Sequence, residues 1–177
     1  MIRILHVLYG FECRIFHKIN RHFERVWLNL FFRTVTHLGG ARFTISASIL
    51  LYLLSWSRET RLLAIAGALA LSASHIPVQI AKVLFPRKRP YLTLDSTKFP
   101  ENPLKDHSFP SGHTTAIFAI LTPYILSVPQ IAFLLILLGL SVGLSRIYLG
   151  LHYPSDVLVG AFLGAFAGCL SYLLLCI

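Results

Sequence analysis

The 177-residue chain is too hydrophobic for an ordinary soluble domain, since 55% of its residues are hydrophobic and its mean hydropathy is +0.69. Its net charge of +9 comes from cations in the N-terminal quarter and in segment 82–105 rather than from one basic tract. This distribution favours anionic lipid headgroups and a phosphate-bearing substrate over nucleic acid. Cys13, Cys169 and Cys176 have neither a disulfide pattern nor a metal-ligand spacing. We therefore expect a single membrane domain over residues 1–177.

The N-terminal region, residues 1–40, predicts an amphipathic helix over residues 11–31. Its two faces are an apolar one, Phe16, Ile19, Phe23, Trp27 and Leu30, and a basic one, Arg14, Lys18, Arg21 and Arg25. A basic stripe behind an aromatic face is typical of a helix in the membrane interface; a packing helix with a solvated face is the alternative. Charged residues closely follow the short apolar run at 1–10, so a cleaved signal peptide is not expected. Gly39-Gly40 ends the pattern.

Five apolar segments follow as predicted membrane spans: 43–56, 62–83, 111–126, 131–147 and 154–176. The first is short and, taken alone, is also consistent with a buried helix. The polar loop 84–110 between the second and third spans is the longest in the chain. The predicted fold is an all-α, polytopic membrane bundle with five spans plus an N-terminal amphipathic or sixth helix. Glycines every four residues, at 160, 164 and 168 and at 139 and 143, indicate close helix packing.

Up-and-down threading brings the polar ends of four spans to one membrane face. These ends carry Lys82, Ser111, Arg146, and His152 with Asp156. The opposite face then carries the C-terminus and the loop 57–61, whose two arginines favour the cytoplasm by the positive-inside tendency. We therefore expect a multi-pass protein of the cell membrane with its site on the extracytoplasmic face. The basic N-terminus favours the reverse orientation unless the first 40 residues add a crossing.

Two clusters at this face are suited to binding an anion. In the first, Lys82 closes a helix and Arg89-Pro90 lies seven positions on, so both cations can point into one pocket. Span-end cations also commonly reach for the membrane surface, and we assign that role to Arg87 and Lys88. The second cluster, Pro110-Ser111-Gly112-His113, begins a helix, whose free N–H groups can cradle an anion. There Ser111 adds a donor, Gly112 permits close backbone approach, and His113 is placed to give a proton to a leaving oxygen.

The third cluster carries the two formal charges of the tract from residue 111 to the C-terminus, Arg146 and Asp156. Arg146 offers a fork to phosphate oxygens. Asp156, four residues after His152, can fix one imidazole nitrogen and leave the other free to attack phosphorus. The clusters together predict phosphoryl transfer through a phosphohistidine, which requires no metal or cofactor. Metal ligation by His113, His152 and Asp156 is the alternative use of these side chains.

These clusters resemble, in order and spacing, the signature of the type 2 phosphatidic acid phosphatase superfamily: Lys82 with Arg89-Pro90, Pro110-Ser111-Gly112-His113, and Ser145-Arg146 with His152 and Asp156. The resemblance is close over residues 82–156. It implies that His152 is the nucleophile, Asp156 its orienting partner and His113 the general acid. The phosphate would be held by Lys82, Arg89, Ser111, Gly112 and Arg146. It also implies six membrane helices and, as in small bacterial members, action on phosphatidylglycerophosphate, undecaprenyl diphosphate or phosphatidate.

Two features lie outside that signature. Ser72, His75, Gln79 and Lys82 form one stripe along the second span, which Pro77 is expected to bend. We hypothesise that this stripe faces the bundle interior and positions Lys82 by hydrogen bonds; independent helix–helix hydrogen bonds are the alternative. Loop 91–109, with Phe99, Lys105 and His107, is expected to select the headgroup.

The alternatives to a lipid phosphatase are a phosphotransferase with the same intermediate, a soluble-type relative that oxidises halides, and a non-enzymatic channel or transporter. The high hydropathy disfavours the second, and a transporter would not need a nucleophile held by an aspartate. The sequence does not indicate an oligomeric state.

Overall fold

The computed structural model describes residues 2–177, and these form seven α-helices and no strand. The helices are α1 (Ile2–Asn20), α2 (Val26–Val35), α3 (Ala41–Leu53), α4 (Arg58–Leu84), α5 (Gly112–Ser127), α6 (Pro129–Tyr148) and α7 (Pro154–Cys176). Short 3₁₀ turns lie at Thr36–Gly39 and Pro90–Leu92. The all-α prediction is confirmed. Among the described residues α4, α6 and α7 are long and apolar enough to cross a membrane, whereas α3 has 13 residues and α5 has 16.

The three long helices present apolar side chains outward. On α6 Phe133 and Leu134, and on α7 Leu158 and Phe162, are largely exposed on the protein surface. A contiguous apolar exterior on helices of this length is suited to contact with lipid tails, because it has no favourable partner in water. The chain is therefore a membrane protein with several apolar helical spans.

Helix α7 lies against α5 through the glycines that repeat every four residues. A Cβ atom at Gly160 would lie 2.6 Å from the carbonyl oxygen of Ser111, and one at Gly168 would lie 2.5 Å from Cβ of Thr122. Real Cβ atoms do not approach so closely, so a larger residue at either position would force the helices apart. This close approach holds the start of α5 beside the start of α7.

The N-terminal region contains two helices, so the prediction of one helix over residues 11–31 is wrong. Helix α1 ends at Asn20, whose side-chain amide donates to the carbonyl oxygens of Lys98 and Tyr148 at 2.8 and 2.9 Å and accepts from the Lys98 amide at 2.9 Å. These bonds to distant segments fix the turn at 21–25 in spite of the helical periodicity. The predicted aromatic face is divided accordingly: Phe16 is fully buried, while Trp27 is 83% exposed.

The loop between α4 and α5, residues 85–111, folds back over one end of the bundle. The Ser108 amide donates to the carbonyl oxygen of Arg87 at 2.9 Å, and the Tyr91 hydroxyl donates to that of Leu104 at 2.7 Å. Its first and last thirds are thereby held together. Arg87 and Arg89 from one part, and Asp106 from the other, consequently meet at the helix ends.

Candidate active site

A cavity of about 650 Å³ lies between α3, α4 and α5, and one end of it is lined by the loop between α4 and α5 and by the loop that follows α6. At this end its wall includes Lys82, Arg89, Gly112, His113 and His152, together with Asp106, which the sequence analysis did not single out. The structure therefore brings five of the eight predicted site residues to one cavity wall. The other three, Ser111, Arg146 and Asp156, are buried behind that wall.

His152 follows α6 in a buried turn, with 1% of its surface exposed. Its backbone amide donates to the carbonyl oxygen of Arg146 at 3.2 Å. Nε2 of the ring lies 3.1 Å from Nη1 of Arg89. Because a guanidinium can donate but cannot accept, Nε2 must be the accepting nitrogen and the ring proton must be on Nδ1. This is the tautomer that a nucleophilic Nε2 requires.

The surroundings of His152 keep its ring neutral. Burial lowers the pKa of the imidazole from 6.5 to about 4, and the positive charges of Arg146 and Arg89 add to this effect against the opposing influence of Asp156. At neutral pH the Nε2 lone pair is therefore available rather than protonated.

Asp156 lies in the first turn of α7 and is fully buried. Its Oδ2 accepts from the Tyr153 amide at 2.8 Å and lies 3.7 Å from Nδ1 of His152. The latter distance exceeds a hydrogen bond, and Nδ1 has no hydrogen-bond partner among the described residues. The carboxylate is thus aligned with the imidazole at ion-pair distance, a looseness common before substrate binds.

Arg87, assigned above to the membrane surface, instead binds Asp156, so that assignment is wrong. Its Nη1 donates to Oδ1 of Asp156 and to the Ser155 hydroxyl, both at 2.8 Å, and its Nη2 pairs with Glu12 of α1. The Ser155 hydroxyl donates to Glu12 at 2.5 Å. The guanidinium also lies 3.8 Å from the ring centroid of Tyr153. Helix α1 therefore reaches the His152–Asp156 pair through two charged side chains.

Lys82 and Arg89 share the carboxylate of Asp106. Lys82 pairs with Oδ2, and Nη2 of Arg89 donates to Oδ1 at 2.6 Å. Arg89 is 1% exposed and also donates to the carbonyl oxygens of Asp106 and Leu151, each at 2.8 Å. Partial burial raises the pKa of Asp106, but the Lys82 bond and the Arg89 charge outweigh it and lower the pKa to about 2. A carboxylate therefore lies on the two cations predicted to bind phosphate.

Arg146 is a buried cation without a carboxylate partner among the described residues. It is 3% exposed, and its Nη1 donates to the Thr36 hydroxyl at 2.7 Å. Its Nε and Nη2 atoms are buried and have no hydrogen-bond partner in the described part of the chain. Burying a charge in this way is unfavourable unless something else pairs with it, so the geometry favours an anion as the missing partner.

The start of α5 is divided between the cavity and the protein interior. Gly112 and His113 line the cavity, whereas Ser111 is fully buried, with its hydroxyl 2.9 Å from that of Thr114. Ser111 therefore does not present its hydroxyl at the cavity wall as predicted. Residues 2–177 contain no group of three or more His, Cys, Asp or Glu side chains placed to hold a metal ion. The alternative metal site is consequently not assembled.

The family model described as the PAP2 superfamily matches residues 61–175, which include every cluster above. The chain belongs to the PAP2 superfamily. The resemblance inferred from the three clusters, and with it the assignment to the membrane phosphatases, is confirmed.

Individual PAP2 relatives extend this comparison. The chain is 26% identical to the undecaprenyl-diphosphatase of Sulfolobus acidocaldarius over 92% of its own length and 77% of that protein. It is 34% identical to the bacitracin transport permease protein BcrC of Bacillus licheniformis over 68% of its own length, and the match spans 59% of the relative. The crystal structure of Aquifex aeolicus LpxE has a TM-score of 0.78 at 31% identity, covering 90% of this chain and 93% of that one.

The stripe on α4 lines the same cavity, but not in the role first hypothesised for it. Ser72, His75 and Gln79 face the cavity, as Lys82 does. The hydrogen-bond partner of Lys82 is Asp106, however, and Gln79 lies 3.2 Å from His75 instead. The hypothesis that the stripe positions Lys82 by hydrogen bonds is therefore wrong.

Of the predicted headgroup-selecting residues, Lys105 and His107 are exposed, and Phe99 packs on Tyr91 with ring centroids 5.0 Å apart. Asp106, between the first two, is the loop side chain that reaches the cations. The sequence did contain a signal for Asp106, because an acidic residue lies there in the same loop as the predicted phosphate-binding cations.

Proposed function

We propose that this PAP2 protein is a membrane lipid phosphatase that hydrolyses the terminal phosphate of a lipid phosphate or diphosphate through a phosphohistidine at His152. Phosphatidylglycerophosphate, undecaprenyl diphosphate and phosphatidate are the candidate lipids. The observation that supports this most directly is the neutral, buried His152: its Nε2 lies 3.1 Å from Arg89, its ring shares the cavity wall with Lys82, and the charge of Arg146 acts on it. A nucleophile in a cationic, poorly solvated pocket is what attack on an anionic phosphorus requires.

In the first step Nε2 of His152 attacks phosphorus, forming a P–N bond while the bond from phosphorus to the lipid oxygen breaks. His113 gives its proton to that leaving oxygen, and Asp156 stabilises the Nδ1–H that becomes part of a cationic ring. In the second step a water oxygen attacks phosphorus and the P–N bond breaks. The water proton passes to His113, which restores the starting enzyme and releases inorganic phosphate.

The cations and the α5 terminus neutralise the charge that develops on the phosphoryl oxygens. Arg146 supplies two donors that have no partner in the described residues, and the half-buried Gly112, which lines the cavity, adds its backbone N–H at a helix start. Lys82 and Arg89 also bind the phosphate, either together with the Asp106 carboxylate or after the phosphate has displaced that carboxylate from them. Charge neutralisation of this type requires no metal ion.

The proposal places this site at the extracytoplasmic face of a bundle that crosses the membrane five times, with α1 and α2 at the interface. Helix α5, at about 1.5 Å per residue, is roughly 24 Å long, and α3 is roughly 20 Å. Both are shorter than a hydrocarbon core of about 30 Å, but the bundle encloses much of α5. Arg58 and Arg61 lie at the opposite end of α4 from Lys82, which favours a cytoplasmic position for them.

The experiment is phosphate release from the three candidate lipids in detergent with a chelator present. Wild type is compared with His152→Ala and with His17→Ala, an exposed histidine outside the site. We expect release by wild type and His17→Ala, and none by His152→Ala. A phosphotransferase would yield phosphorylated acceptor without free phosphate.

A transport function is the second candidate, because one relative is described as a transport permease. It predicts that His152→Ala retains full function in a vesicle flux assay. Loss of both flux and phosphate release in that variant would favour the phosphatase.

A further inference from the structure

The cavity continues beyond the cations, along α4 and toward the middle of the bundle. Below Lys82 the α4 side carries the polar side chains Gln79, His75 and Ser72 together with Leu71 and Val78, and the facing surfaces of α3 and α5 carry Ala41, Ile45 and Ala116 together with Thr44, whose hydroxyl donates to its own helix. The polar side chains of this lower cavity that are not bonded to α3 are therefore concentrated on α4.

The polar side chains on α4 are not explained by bonds within the protein. The Ser72 hydroxyl donates to the carbonyl oxygen of its own helix at Ala68, at 3.0 Å. Gln79 and His75 contact each other at 3.2 Å, and neither has another side-chain hydrogen bond among the described residues. An imidazole and an amide have further hydrogen-bonding groups. Polar groups at membrane depth are unfavourable and usually face a partner or a pathway.

The residues between them on the same helix show which direction is lipid. Ile76 and Ile80 are 63% and 53% exposed and are absent from the cavity wall, whereas His75 and Gln79, which are also exposed, belong to that wall. The helix thus turns apolar side chains toward the bilayer and Gln79 and His75 toward the cavity, as expected for a wall that meets a polar part of a bound molecule.

The number of residues that separate Gln79 and His75 from Lys82 determines how far these donors lie from the cations along the helix axis. At about 1.5 Å per residue, Gln79 lies roughly 4.5 Å and His75 roughly 10.5 Å along the helix from Lys82. A lipid whose phosphate is bound at the cations would place its next atoms at these depths. In an acylated glycerol or sugar these atoms include ester or amide carbonyls, which accept hydrogen bonds. A polyprenyl monophosphate offers no acceptor at either depth, and the inner phosphate of a polyprenyl diphosphate reaches the depth of Gln79 but not that of His75, so both would leave His75 unpaired.

We propose that Gln79 and His75 form a subsite for the acyl carbonyl groups of the substrate, so that the lipid is an acylated glycerol or sugar phosphate rather than a polyprenyl phosphate. This inference rests on the proposed phosphatase function and specifies its substrate class. The two side chains select the lipid and take no part in the chemical step at His152.

The test compares three phosphate monoesters that differ in the lipid attached to the phosphate. They are diacyl phosphatidate, its dialkyl ether analogue without carbonyls, and a polyprenyl monophosphate. We expect wild type to show about tenfold higher kcat/KM on the diacyl lipid than on the ether analogue, from one or two neutral hydrogen bonds. In His75→Leu/Gln79→Leu that preference should disappear through KM, with kcat/KM on the ether and polyprenyl lipids unchanged. Ile76→Ala, on the lipid side of the same helix, should behave as wild type.

The outcomes separate the two proposals. An equal loss on all three lipids, or a lower midpoint of thermal unfolding that accounts for the loss, would contradict the subsite. Retention of the diacyl preference by the double variant would also contradict it. In either case wild type would still release phosphate and His152→Ala would not, so the phosphatase proposal would stand. If wild type released phosphate from no lipid, the phosphatase proposal would fail and the subsite with it.

Discussion

Replacing Arg146 by methionine should abolish anion binding without harming the fold. The side chain is 3% exposed, donates to Thr36 with Nη1, and has two buried nitrogens without partners in the described residues. A buried cation without a counter-charge opposes folding, and methionine is an apolar chain of similar reach. The ligand-free variant should therefore unfold at the same temperature as wild type or at a higher one.

The catalytic loss can be estimated from the same two nitrogens. A hydrogen bond to a charged group contributes about 1.5–3 kcal/mol, so two bonds from Nε and Nη2 to phosphoryl oxygens contribute about 3–6 kcal/mol. If both act in the transition state, kcat/KM falls by a factor between about 10² and 10⁴. Arg146→Lys, which keeps the charge but not the fork, should lie between the methionine variant and wild type.

The assay is thermal unfolding in detergent with and without orthovanadate, followed by phosphate-release kinetics. At 100 times its Kd a ligand stabilises the folded state by about 2.7 kcal/mol, and this gain should be present in wild type and absent in Arg146→Met. Arg58→Met, an exposed arginine at the far end of α4, is the matched control. Equal stabilisation by vanadate in wild type and Arg146→Met would refute the reasoning, as would activity within threefold of wild type.

Three further predictions concern the neighbouring residues. In the folded protein the pKa of His152 is lowered to about 4, so protonation of its ring should reduce kcat/KM below about pH 5. In the unfolded chain the same imidazole binds a proton near pH 6.5. The free energy of unfolding should therefore also fall as the pH decreases from 6.5 to 4. A pH–rate profile whose acid limb is at pH 6.5 or above would be inconsistent with a buried neutral nucleophile. Because Arg87 acts through Asp156, Arg87→Gln should lower kcat by about tenfold with little change in KM. Arg87→Lys should recover part of the lost kcat. Steady-state kinetics in which KM alone rises would instead assign Arg87 to phosphate binding. Asp106→Asn, which removes the carboxylate that pairs with Lys82 and Arg89, should lower the inhibition constant of orthophosphate several-fold; weaker inhibition would show that Asp106 organises the cations rather than competing for them.

The sequence was informative wherever position along an antiparallel bundle decides location. Lys82, His113, Arg146 and His152 lie at span ends that must share one face, and the structure places them around one cavity or directly behind its wall. The glycine repeat was predictable for a similar reason, because a period of four keeps Gly160 and Gly168 on one face of α7.

The sequence was less informative where a distant contact decides the local structure. The helix predicted over 11–31 ends early because Asn20 binds residues 78 and 128 positions away. Arg87 resembled a surface cation since its partners, Glu12 and Asp156, come from two other helices. The hydroxyl of Ser111 is bonded to Thr114 rather than directed into the cavity, a rotamer choice that no spacing reveals.

Covalent phosphorylation of His152 is the central step of the proposed reaction, and trapping that adduct tests it most directly. Wild type and His152→Ala would be mixed with lipid labelled in its terminal phosphate, quenched in alkali within one turnover, digested and examined by mass spectrometry. We expect a phosphorylated peptide containing residue 152 in wild type and none in His152→Ala. Phosphate release by wild type with no adduct at 152, or release by His152→Ala at the wild-type rate, would contradict it.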